Sequence, residues 1–320
     1  MSTYLLHGGT LTLAWFLIVN IVMSAAVAAW AARATRGRDG AGSPAFWFAA
    51  RVGPAAAALL FVAGVFVPSY WKYEPRDFVE GFDVTLTALA LGAAGLFVVA
   101  GARGLRAWRS AARRTRVWMQ TARPLVLADP RIPAFEIDAD APIMALVGVL
   151  RPRLLVTRGL VAALTDEELA ASVAHEIGHS RAWDNLKRLL MCTAPDVLTS
   201  TAAARAIERR WASASEHSAD RMAAGDGAFA RCALASALVK VARLTPVKTP
   251  IAEPISTLID GGEIASRVEH LLGDAVPSVR RRSMLGWTGL VVAAGATATA
   301  YAPALRLVHA MTEVLVQSLP

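Results

Sequence analysis

Three stretches in the first third of the chain, residues 11–32, 52–71 and 84–102, stay apolar for about the length a helix needs to cross a bilayer, and a fourth, 283–305, does so near the end. The first is uncharged and carries Trp15 and Trp30 near its ends, where aromatic rings favour the interface. It has no basic residue before it and is too long for the apolar core of a signal peptide, so it is expected to be retained. The fourth is rich in Gly and Ala, which lets helices pack closely in lipid. The residues before Leu11 read as a short polar lead, with His7 at the interface. The arginine run from Arg103 to Arg116 reads as the third helix continuing along the membrane surface, with Trp108 and Trp118 as anchors.

From Pro124 the pattern shortens to apolar runs of four or five residues separated by Pro and Asp. Residues 124–127, 134–137, 143–147 and 154–157 are predicted strands, with turns at Asp129-Pro130, 138–142 and Arg151-Pro152. A helix then begins at Thr165. Glu168 three residues on completes a capping box, and Asp166 and Glu167 put negative charge where the helix dipole favours it. Leu169, Val173 and Ile177 form its apolar stripe. Further helices are predicted around 189–191, through Trp211 to a stop at 225–227, over 229–244 and over 263–272. Residues 245–262, with Pro246, Pro250 and Pro254, read as a loop rimming a cleft. The expectation is an α+β multi-pass membrane protein. Its parts are a three-helix region at 1–102, a domain of a small sheet plus helices at 103–282, a fourth transmembrane helix at 283–308 and a short external tail at 309–320. The edge of the sheet could hold an extended peptide by strand addition.

Composition agrees with that picture: 55% of residues are hydrophobic and 18% charged, too apolar for an ordinary soluble domain. Charge placement adds an orientation. Arg33, Arg36 and Arg38 follow the first span, the arginine run follows the third, and Arg280 to Arg282 precede the fourth, whereas Glu74, Asp77, Glu80 and Asp83 lie between the second and third. By the positive-inside rule both termini lie outside and the 103–282 domain faces the cytoplasm, in the inner membrane. The net charge of +8 sits mostly at span ends, where anionic headgroups are the nearer partner, so nucleic acid is not expected to bind. Cys192 and Cys232 read as buried thiols, neither disulfide nor metal ligands.

The candidate chemistry lies in the helix that starts at Thr165. His175, Glu176 and His179 have the H-E-x-x-H spacing, which puts two imidazoles on one helix face within reach of a single zinc ion, with a carboxylate beside them to take a proton from water. A structural zinc site would lean on Cys and close four protein ligands. Glu216, on the helix through Trp211, can complete a His-His-Glu set, and Asp220, one turn further, can hold an imidazole tautomer. Two carboxylates on one helix face are ordinarily a solvated surface; the preceding motif is what raises them to candidates.

These residues resemble the membrane-bound gluzincin metallopeptidases. Thr157-Arg158-Gly159-Leu160, 164–169, 175–179 and 216–220 are similar to the pattern shared by the HtpX and CAAX-prenyl-protease type and the BlaR/MecR antibiotic-sensor type. Gly178 favours the first type. Residues 148–153, Asp184-Asn185-Leu186 and the order of spans favour the second, toward which the reading leans. The resemblance implies a zincin-like fold and one zinc ion per chain held by His175, His179 and Glu216. It also implies Glu176 as base and proton donor, Asp220 behind the ligands, and a basic position at Arg267. Only a few residues follow the fourth span, so no external sensor domain is expected and antibiotic sensing is not carried over.

The expected activity is a zinc endopeptidase acting on cytoplasmic or membrane-proximal proteins, a regulatory circuit or the chain itself supplying the substrate. No Tyr lies between Tyr73 and Tyr301, so a second oxyanion donor would have to be His217, Arg221 or His270. The alternative is a non-catalytic membrane signalling or scaffold protein that keeps the fold; Glu176 speaks against it, because a structural site needs no base. A transporter is disfavoured by spans without an acidic residue.

Overall fold

The computed structural model describes residues 2–34, 42–76, 83–127, 132–139, 141–225, 227–244, 256–257, 264–273 and 287–318. Arg36, Arg38, Asp77, Glu80, the turn at Asp129-Pro130, Asp140, Asp226, most of the proline-bearing loop and Arg280 to Arg282 lie outside the described residues.

Helix α1 (Ser2–Ala34) takes in nine of the ten residues expected as a polar lead. They join the helix because their hydroxyls bond back into it, Thr10 to the Leu6 carbonyl at 2.9 Å and Thr12 to that of Gly8 at 2.6 Å. α2 (Pro44–Phe61) starts at a Ser43 cap and runs through a π turn at Val62–Phe66 into α3 (Val67–Tyr73). The wider turn immediately precedes Pro68, which has no N–H to give a regular ladder. α4 (Val84–Gln120) is capped by Asp83 and continues unbroken through the arginine run. At 37 residues it is about 55 Å long, well beyond a hydrocarbon core of about 30 Å, so its second half stands clear of lipid. Among the described residues three helices are long and apolar enough to cross a membrane: Thr3–Arg33, Pro44–Tyr73 and Val84–Gln120. The fourth expected span falls on α11 (Trp287–Ser318), which is not among those three; the stretch expected as a tail continues it to Ser318. Val308, Leu315 and Val316 hold that end against the bundle, and Thr312 accepts from the Trp15 indole at 3.1 Å.

The sheet has the order β1-β2-β4-β3-β5, from β1 (Arg123–Leu125), β2 (Ala134–Ile137), β3 (Met144–Val147), β4 (Arg153–Thr157) and β5 (Ser256–Thr257). β2 and β4 are parallel and the other pairs antiparallel. β5 was not expected. It pairs Thr257 with Ala145 and Ser256 with Leu146, so that side of β3 is taken by the chain itself.

Both faces of the sheet are covered, which is why all four residues of β3 are apolar and buried. Met144, Leu154 and Val156 face α6 (Asp166–Arg181), where Val173 and Ile177 meet them, with Leu160 of α5 (Arg158–Ala163) and α9 (Ala228–Leu244) closing that core. Ala145, Val147 and Leu155 face the far end of α4 through Ala111, Trp118 and Met119. Trp118 therefore packs on protein rather than anchoring in lipid, whereas Trp108 is exposed. Of the two free cysteines, Cys192 is half-buried and Cys232 is exposed, contrary to the expectation of two buried thiols, because its position on α9 points away from the core.

The capping box at Thr165 forms, and its glutamate does more than cap. Glu168 accepts from the Thr165 N–H at 2.8 Å, the Ser236 hydroxyl at 2.6 Å and the Lys240 ammonium at 2.7 Å, tying the start of α6 to α9. Burial alone would raise its pKa, but these three donors outweigh it and hold the carboxyl below the ordinary glutamate range. Its stabilisation is thus present above the unfolded pKa and lost as pH falls through the lower folded value. Glu168→Ala should cost about 2–3 kcal/mol in thermal or denaturant unfolding, against under about 0.5 for the exposed Glu167→Ala.

The membrane helices grip the peptide segment between α7 (Asp184–Thr193) and α8 (Ala202–Ala224). Asn20 of α1 donates to the Pro195 carbonyl at 3.1 Å and accepts from the Val197 N–H at 3.0 Å. Arg51 of α2, 1% exposed, pairs with Asp196 at 2.9 Å and Glu208 at 2.6 Å and donates to the Met191 carbonyl and the Thr199 hydroxyl. Arg103 of α4 donates to the carbonyls of Cys192 and Ala194.

Candidate metal centre

α6 and α8 cross at Gly178. A Cβ there would lie 3.2 Å from the Ala219 Cα, so the missing side chain is what lets the helices approach. On α6, His175 and His179 share a face at i, i+4; on α8, Glu216 and Asp220 do the same and meet them. The two imidazole Nε2 atoms lie 3.1 Å apart, and the Glu216 carboxylate is 3.4 Å from each.

Each Nδ1 faces a buried carboxylate, His175 toward Asp220 at 2.9 Å and His179 toward Asp184 at 2.8 Å. In the neutral ring those partners favour the proton on Nδ1, so that Nε2 is the atom each imidazole would turn to a metal. The two Nε2 atoms and the Glu216 carboxylate then converge, with the Arg267 guanidinium 2.9 Å from Glu216 and 3.4 Å from the His175 Nε2. His175, His179 and Glu216 could hold a metal ion, their ligand atoms all lying within 4.8 Å of one another. Such a donor set suits zinc.

The electrostatics point the same way. His179 is pushed up to about 10: burial disfavours the imidazolium, but the Glu216 and Asp184 carboxylates outweigh it. His175 shifts upward too, burial being overcome by Asp220 and Glu216. Glu216 is held well below the usual carboxylate range because the imidazoles beside it outweigh its burial. The pocket thus seeks positive charge. Glu176 behaves oppositely. Fully buried, with neither carboxylate oxygen hydrogen-bonded among the described residues, it is pushed up to about 7, chiefly by desolvation.

Two further side chains belong to this cluster. Arg267, on α10 (Ile264–Leu272), grips both Asp220 oxygens at 2.6 and 2.9 Å and lies 2.9 Å from Glu216. Asp184 reaches His179 because Trp183 adopts a left-handed conformation, φ 58°, which turns the chain back between α6 and α7. Ser215 also donates to Asp184. Of the oxyanion candidates, Arg221 and His270 are exposed and His217 is half-buried, its ring packed edge-on to that of His270 with centroids 5.0 Å apart.

An H-E-x-x-H helix crossed by a carboxylate-bearing helix over a small mixed sheet is the arrangement of a metallopeptidase domain. Residues 109–257 match the model of peptidase family M48, a span that starts in α4, takes in the sheet and α5 to α9, and ends at β5. The match bears out the resemblance to the membrane-type gluzincin metallopeptidases. A comparison with curated proteins finds no match to the chain.

Proposed function

We propose that the protein is an integral-membrane zinc endopeptidase cleaving cytoplasmic or membrane-proximal proteins. The observation that carries this is the convergence of the His175, His179 and Glu216 ligand atoms beside a buried Glu176 that has no hydrogen-bond partner among the described residues. His175, His179 and Glu216 hold one zinc ion. When bound, it supplies Lewis-acid polarisation of the scissile carbonyl and lowers the pKa of water. Glu176, raised toward neutrality by its dry surroundings, takes the proton of the attacking water and passes it to the leaving amine nitrogen. Asp220 and Asp184 keep both imidazoles in the metal-binding tautomer, and Arg267 keeps Asp220 ionised and aligned. His217, the least exposed of the three candidates, is the second oxyanion donor.

The non-catalytic scaffold reading is weaker. A buried glutamate without a partner costs stability, and a structural site gains nothing from it. The orientation proposed is that of the charge pattern, with the peptidase domain in the cytoplasm, the bilayer as a standing partner and both termini outside; a C-terminal reporter active in the cytoplasm would overturn it.

The full chain purified in detergent should carry about one zinc per chain and cleave a generic unfolded protein. A chelator should abolish cleavage and added zinc restore it. A zinc-loaded chain that leaves every unfolded protein intact would favour the scaffold.

A further inference from the structure

Between the end of β3 and the first turn of α7 lies a cavity of about 120 Å³, walled by Leu146, Val149, Leu150, Trp183 and Leu186 and by His179. That volume is far below the roughly 300 Å³ at which sites for small molecules begin. It is about four times the ~30 Å³ a water takes in the liquid, room for about four heavy atoms. Apolar side chains form the larger part of the walls, with Ser180, Asp184 and Asn185 on the polar side, and Leu150 and Trp183 are both exposed. Trp183 is also the non-glycine residue held at positive φ, a strained backbone of the kind that persists where a site needs it.

Asn185 lines the same cavity and is almost fully buried. Its Nδ2 donates to the carbonyls of Leu146, at 2.9 Å, and Gly148, at 3.0 Å. These two acceptors fix the amide's direction, since the opposite placement would press its oxygen against two carbonyl oxygens. The Oδ1 is left buried without a hydrogen-bond partner among the described residues. Buried acceptors are rarely left so, and this one sits beside a wall shared with the metal centre. A peptide strand carries both things the place lacks, a backbone N–H and an apolar side chain. The edge of β3 does not supply them, because β5 pairs with Ala145 and Leu146 and Asn185 takes the Leu146 carbonyl.

We propose that this cavity is a side-chain subsite of the peptidase. It takes one aliphatic side chain of about four carbons, the size of leucine or isoleucine, from an extended peptide next to its scissile bond. Asn185 Oδ1 accepts a backbone N–H of that peptide. The inference rests on the peptidase reading above, because His179 is at once a wall of the cavity and a residue of the metal centre.

The test measures binding, so that it stands apart from cleavage. The full-length, zinc-loaded chain carrying Glu176→Gln is titrated calorimetrically in detergent with two capped pentapeptides, one all glycine and one with leucine at its centre. The leucine peptide should bind about tenfold more tightly or better. Val149→Phe, which fills the cavity, should erase that advantage while leaving the glycine peptide within about twofold. Asn185→Ala should weaken both peptides by a similar factor. Should that variant fail to fold, judged by its zinc content, the Val149→Phe comparison decides alone. Equal affinity for the two peptides, or a leucine advantage that survives Val149→Phe, overturns the subsite. Failure of the zinc-loaded wild type to cleave any unfolded protein overturns the peptidase reading instead, and a leucine preference in the titration would survive it.

Discussion

Glu176→Gln is expected to leave the zinc content unchanged and to lower kcat for peptide cleavage by about three orders of magnitude or more, with KM within a few-fold. Glutamine keeps the shape and volume of the side chain, so the packing around α6 survives. The substitution removes the ability to take and return a proton, a step worth about 10²–10⁴ in rate on its own and more where residues act as a unit. It also removes a buried ionisable group whose carboxylate has no hydrogen-bond partner among the described residues, so the variant should unfold no earlier than the wild type. Metal analysis and steady-state kinetics on the same preparations separate the outcomes. Cleavage within tenfold of wild type would remove Glu176 from the chemistry, and loss of zinc would make it a residue of the metal set instead.

Arg51→Ala is expected to destabilise the protein by about 3–5 kcal/mol, because it strands the buried Asp196 carboxylate without its counter-ion. Glu208, partly exposed, can be hydrated, but Asp196 cannot. The paired change Arg51→Met with Asp196→Asn should recover most of the loss, since asparagine still accepts from the Thr199 N–H that Asp196 now holds at 2.8 Å. A double-mutant cycle on thermal unfolding in detergent measures the coupling, expected at about 2 kcal/mol or more. A single variant within about 1 kcal/mol of wild type would mean that the ion pair does not hold the segment between α7 and α8. The same variant should lose zinc on heating earlier than the wild type, because that segment leads directly into the helix carrying Glu216.

How far the site could be read from sequence follows from how local each relation is. His175, Glu176 and His179 share one helix turn, and Glu216 and Asp220 share another, so spacing alone places each pair on a face. What brings the two faces together is Gly178 against Ala219, and the glycine inside the motif hinted at that approach without showing its partner. Asp184 was beyond reach because its return to His179 depends on the left-handed turn at Trp183, which nothing about a tryptophan announces. Arg267 was noticed only through resemblance. It lies 47 residues beyond Asp220, and its reach across α8 depends on how α10 packs.

The fold shows the same division. The four strands expected between 124 and 157 form, because short apolar runs bounded by Pro or Asp turns are local signals. β5 was missed because two residues carry no period. The uniformly apolar β3 announced a strand buried on both sides but not its second cover. That cover is the end of α4, whose arginine run reads in sequence as a membrane-surface stretch, whereas Ala111, Trp118 and Met119 face the sheet. The polar start of α1 was misjudged because threonine hydroxyls can satisfy themselves within a helix.

The span of α4 from lipid to the rear of the sheet makes a boundary at residue 103 a line through the middle of a rod. A water-soluble fragment begun downstream of Met119 would uncover a greasy wall that Val147 and Leu155 need shielded, and would forfeit the guanidinium of Arg103 that clasps the neighbouring carbonyls. The sheet and the helix behind it are one piece, and preparations for assay or crystallisation should keep the whole rod.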